Sequence, residues 1–119
     1  MVKNLGNEAL NNVQVVDNLN LTFPLPATYT ILTAPTSATL TVDAGFNGNT
    51  NTNLLAATQS LAIGASATIT FTVQLTTNGI PTAFSNSAVA SGIGATSTAT
   101  TTDTSNNRSE ERRVGKECW

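Results

Sequence analysis

At 119 residues the chain has room for one domain, and its 39% hydrophobic content is enough for a single core. Charged residues make up only 10%, with one Lys the sole basic residue before position 108, which leaves no footprint for nucleic acid or an anionic membrane surface. There is no His, so hydrolytic triads, imidazole bases and His-ligated metals are excluded.

Met1 leads straight into VKNLGNEAL, which does not read as a secretion signal because a basic and then apolar segment is missing. The first strand is predicted over 13–16, running into Asp17. A second follows the Pro24 to Ala27 segment, over 29–33. A third is predicted over 39–43, with Leu40 and Val42 on one side. The stretch 45–53, GFNGNTNTN, reads as a loop, because Gly and Asn tolerate positive φ and bond their own backbone. LLAATQSLA carries Leu54, Thr58 and Leu61 at helical spacing, but Thr and the neighbouring Gly64 would leave such a helix short and uncapped.

Gly64 reads as the turn into the clearest element, SATITFTVQL over 66–75. There Ala67, Ile69, Phe71, Val73 and Leu75 alternate with Ser66, Thr68, Thr70, Thr72 and Gln74. Period two puts the apolar set on one face and the hydroxyls on the other, a half-buried strand. Over 84–91, Phe84, Asn86, Ala88 and Ala90 alternate with Ser85, Ser87 and Val89. The poorly apolar stretch 96–102 is predicted as an edge strand. Turn signals every eight to twelve residues or so suggest an all-β sandwich. No stretch approaches the roughly eighteen apolar residues of a membrane span, so no membrane insertion is expected.

Composition changes abruptly at Arg108. The last twelve positions hold Arg108, Arg112, Arg113 and Lys116, the only Cys and the only Trp. Before them, Lys3 stands against Glu8, Asp17, Asp43 and Asp103. Arg108 to Cys118, RSEERRVGKEC, resembles the translation of a common short-read sequencing adapter at every position. Residues 108–119 are therefore expected to be a non-native, disordered tail on an assembled metagenomic fragment, and are set aside in fold reasoning. No redox compartment follows from Cys118.

Chemistry is read mostly by exclusion. The four carboxylates before the tail are far apart and suggest no acid/base couple. GIGA lacks the following Lys and the helix of a phosphate loop. Asn20-Leu21-Thr22 has the N-glycosylation pattern, which is meaningless outside a eukaryotic secretory context. No carboxylate lies within 45–53, so the Asn-rich loop is not expected to hold a hard cation. Asp17, Asp43 and Asp103 could contribute only weakly to calcium at the ends of the unit. Lys3 and Asn86 could form an intramolecular isopeptide crosslink, given a nearby acid, against the simpler reading of an exposed Lys. No catalytic, cofactor-binding or metal-ligating residue is assigned.

The segments KNLGNEALNNVQVVDNL, FNGNTNTNLL, SLAIGASATITFTVQL, FSNSAVASG and TDTSNN together resemble the tandem Ig-like conserved repeat of large bacterial cell-surface and secreted proteins. The resemblance implies an Ig-like antiparallel β-sandwich of about seven strands over residues 1–107. It further implies a first strand truncated before Lys3, a turn made by Asn4, Gly6 and Asn7, Asp17 closing the next strand, and Asn86 near the start of a late one. It carries no catalytic or ligand-binding residues. The function it implies is a non-enzymatic spacer or stalk without cofactors, extracellular or on the cell surface, whose partners are neighbouring repeats of the same polypeptide. The alternative is an adhesin-like module binding a glycan, a matrix protein or calcium through its loops, either 45–53 or the Pro24 to Ala27 segment.

Overall fold

The computed structural model describes residues 1–23, 25, 27–76 and 86–105. The expected tail, Pro24, Pro26, Phe84 and Ser85 lie outside the described residues. The domain is all-β, with eight strands and one short helix among the described residues. In chain order these are β1 (Val2–Lys3), β2 (Leu10–Val16), α1 (Leu19–Thr22), β3 (Thr28–Ser37), β4 (Gln59–Leu61), β5 (Ser66–Ala67), β6 (Ile69–Thr76), β7 (Val89–Gly94) and β8 (Thr100–Thr104). They form three antiparallel sheets, of order β4-β2-β7-β8, β3-β6 and β1-β5.

The strand with the cleanest alternation behaves as its pattern dictates. Ala67, Ile69 and Phe71 are buried, Val73 and Leu75 half-buried, and Thr68, Thr70, Thr72 and Gln74 exposed. Val13 and Val15 of β2, Ile69 and Phe71 of β6 and Ala90 of β7 join one buried cluster, so the sheets share a core. Phe46, arriving from the Asn-rich loop, packs edge-on against Phe71 with ring centroids 5.0 Å apart.

Elsewhere, irregularities move the strand ends. β2 begins three residues before its predicted start, because Asn12 takes φ 50° and inserts a bulge between Asn11 and Gln14. Asn tolerates that left-handed conformation. Beside the bulge, the Gln14 side chain replaces ladder bonds: its Nε2 donates to the Leu55 C=O at 2.8 Å and its Oε1 accepts the Leu55 N–H at 2.8 Å. β3 runs to Ser37 through two register shifts, one at Leu32 and one spanning Ala34 and Pro35, where Pro has no N–H to offer a partner.

Two strand expectations change. The strand over 39–43 reduces to a single bridge, Val42 to Leu55, because the Ser37 hydroxyl accepts the N–H groups of Thr39 and Leu40 and turns the chain. LLAATQSLA forms no helix, in keeping with the reading that one here would be short and uncapped. Thr58 sits at φ 66° and the segment ends in β4, paired with β2. The edge strand predicted over 96–102 is displaced to β8, and 95–97 form the turn before it. The helix α1 is one turn long, with Asn18 Oδ1 accepting the Leu21 N–H at 3.1 Å.

Candidate functional site

β2 runs between two poles. One carries the turns around 4–9, 62–65 and 95–99, and the other carries α1 and the loop 43–53. At the first pole, Asn4 is 2% exposed and its amide ties three segments together. Its Nδ2 donates to the C=O of Glu8 and of Leu61, and its Oδ1 accepts the Gly6 N–H at 2.9 Å. The Glu8 carboxylate accepts the Thr96 N–H at 2.7 Å and the Ser97 N–H at 2.9 Å, pinning the β7–β8 turn. Hydrogen bonds from Ser97, backbone and hydroxyl, and from the Thr96 backbone hold the Glu8 carboxyl below its ordinary value. A groove of about 350 Å³ beside this turn is lined by β1, β7 and β8. Lys3, Glu8 and Asp103 are the ionisable side chains in its lining, and the Glu8 carboxylate is engaged by the turn.

At the second pole Asp17 is fully buried just after β2. Asn86 bridges two elements there: its Nδ2 donates to Asp17 Oδ2 at 3.0 Å and its Oδ1 accepts the Thr22 hydroxyl of α1. A buried carboxylate is tolerated only with such donors. This triad was not legible as a unit in the sequence, since Asp17 and Asn86 are 69 positions apart. It also bears on the crosslink between Lys3 and Asn86, the alternative to the simpler reading of an exposed Lys. The acid beside Asn86 is present, but Lys3 is exposed on β1, paired with Ser66 at the other pole. A strand of seven residues, roughly 20 Å, separates the poles, so the two side chains are not brought together.

The loop 45–53 closes on itself through side-chain amides. Asn47 Oδ1 accepts the N–H groups of Asn49 and Asn51, Asn51 Oδ1 accepts the Asn53 N–H, and Asp43 Oδ1 accepts the Gly45 N–H. Asp43 Oδ2 takes the Asn51 amide at 3.2 Å. Among the described residues no three of His, Cys, Asp or Glu gather as a metal-ligand set, and Asp17, Asp43 and Asp103 fall on separate features: a buried triad, this loop and an exposed position of β8. No helix among the described residues is long and apolar enough to cross a membrane.

The same loop forms one side of an open cleft of about 410 Å³. Asn20 of α1, Asn47 and Asn49 line it together with Phe23, Tyr29 and Ile31, and α1 rests on the loop beside it, where the Leu19 and Asn20 N–H groups donate to the Gly48 C=O. Tyr29 and Phe23 rings lie 5.9 Å apart at 48°. Burial, and after it the Asp17 carboxylate, push the Tyr29 hydroxyl above its ordinary value. It stays protonated and donates to the Asn47 C=O at 2.7 Å. The loop 45–53 and Ala27, from the two segments proposed as alternatives for binding, thus border one cavity. No protein family, curated protein or solved structure matches this chain.

Proposed function

We propose that residues 1–107 fold as an Ig-like β-sandwich of the tandem bacterial surface-protein kind, and serve as a spacer or stalk repeat rather than as an enzyme. The supporting observation is how the chain divides its residues between core and solvent. Phe71, Ile69, Val13 and Val15 build the core from both larger sheets, while the opposite faces present hydroxyls. Thr28, Thr30, Thr36, Thr70 and Thr72 are exposed on β3 and β6, and every residue of β8 is exposed. A unit that closes its own core over Phe71, Ile69, Val13 and Val15, although Leu5, Leu21, Leu32, Ile63 and Val89 stay exposed, and that is solvated largely by hydroxyls and amides, suits linear repetition in an extracellular or surface setting. Each copy would hold the next at a set distance.

Concatemers of the full chain, pulled singly between two tethers, test this reading. Independent unfolding steps equal in number to the copies, with a constant contour increment, are the expected result. A single cooperative rupture for all copies, or compact concatemers in small-angle scattering whose longest dimension does not grow with copy number, would overturn it.

A further inference from the structure

We propose that the cleft bordered by α1, the start of β3 and the Asn-rich loop binds a neutral saccharide, an activity that goes beyond the spacer role and does not depend on it. Its volume of about 410 Å³ falls within the range of small-molecule sites, about 300–1,000 Å³. The floor is apolar: a half-buried Tyr29 ring backed by Phe23, with Ile31 beside it. An aromatic ring of this kind offers a broad apolar face to the C–H groups of a pyranose.

The rim is made of amides. Among the described residues, Asn20 and Asn49 use only their backbone N–H groups in the hydrogen bonds of the loop and helix, leaving both exposed side chains with donor and acceptor to offer. A sugar hydroxyl both donates and accepts, so paired amides match it as they would not match a purely anionic or cationic group. Among the described residues, no ionisable side chain other than the Tyr29 phenol lines the cleft, and the buried Asp17 carboxylate acts on Tyr29 with a field that opposes anions. The rim is also preorganised. Tyr29 anchors the Asn47 C=O, and Asn47 in turn fixes the backbone of Asn49, so little ordering remains on binding.

The full chain, isotopically labelled, would be titrated with maltose, cellobiose and N,N′-diacetylchitobiose and followed by amide and aromatic NMR shifts. Saturable shifts at the Asn20 and Asn49 side-chain amides and the Tyr29 ring, at millimolar affinity, are expected for at least one of them. The double variant Asn20→Ala/Asn49→Ala should weaken that binding about tenfold without moving the unfolding midpoint. Should the double variant unfold, Asn20→Gln alone, which keeps the amide but moves it, must still weaken binding. The proposal is overturned if none of the three disaccharides gives saturable shifts, if the shifts map to the groove beside Glu8, if a sulfated disaccharide or an acidic peptide binds more tightly, or if the folded variants bind like the parent chain. None of these outcomes alters the pulling result expected of a spacer.

Discussion

Phe71 occupies the middle of β6 at 2% exposure, in edge contact with Phe46, whereas its neighbours Thr70 and Thr72 point to solvent. Phe71→Ala should therefore cost about 3–5 kcal/mol, and Thr70→Ala or Thr72→Ala no more than about 0.5 kcal/mol. Urea melts of the three variants measure this, and equal losses at Phe71 and Thr70 would mean that the strand faces the other way. Two glycines separate backbone strain from crowding. Gly64 and Gly48 share nearly the same positive φ, 75° and 76°. A Cβ on Gly64 would meet open space, while one on Gly48 would lie 2.6 Å from the Leu19 side chain, itself 1% exposed. Gly64→Ala should lose about 1–2 kcal/mol from the left-handed backbone alone. Gly48→Ala carries the same strain plus an overpacked contact and should lose about 2–4 kcal/mol. If the two variants melt alike, Leu19 yields freely and the loop is less tightly seated on α1 than its contacts imply.

Among the elements, what the sequence displays is periodicity, and what it conceals is the work of single side chains. β6 is legible residue by residue because nothing interrupts its alternation. Ala88 and Ala90 against Val89 follow the same rule at the start of β7. The pattern fails at Asn11 and Asn12, two consecutive exposed residues at a bulge, and again at Leu32, exposed at the first register shift of β3. The turn before β8 was hidden for another reason: it depends on Glu8, 88 positions away from Thr96. The candidate site was legible only as two separate loops, since Tyr29 to Asn47 and Asn86 to Asp17 are tertiary contacts with no local signature. Glu8 also gives the turn a pH dependence with a definite sign. Its carboxyl is held below the ordinary value in the folded protein, so its contribution is full above the unfolded value and is lost as pH falls through the folded one. Melting temperature should drop on acidification through and below the usual carboxylate range, and Glu8→Gln should flatten that part of the profile while lowering stability at neutral pH. A profile identical in the variant would show that the Thr96 and Ser97 amides gain nothing from the charge.

At the scale of the whole molecule, the question is whether residues 108–119 belong to the folded unit at all. The buried cluster among the described residues runs from Val2 to Ala90 and already unites all three sheets. Within the last twelve positions only Val114 and Trp119 are sizeable apolar side chains, alongside four basic and three acidic residues. Fixing the backbone costs about 1–2 kcal/mol per residue, and burying one Val and one Trp recovers only a few kcal/mol, so docking twelve residues would be a net loss. If the segment is translated adapter, nothing selected it to pack against the domain. Deleting Arg108 to Trp119 should then leave the unfolding midpoint unchanged within error. It should also abolish disulfide-linked dimers under oxidising conditions, because Cys118 is the only cysteine. Calorimetry and non-reducing gels of the full and shortened chains give both readouts. A clear fall in melting temperature on truncation would count against the adapter origin, because a segment that stabilises the fold has contacts that chance translation does not supply.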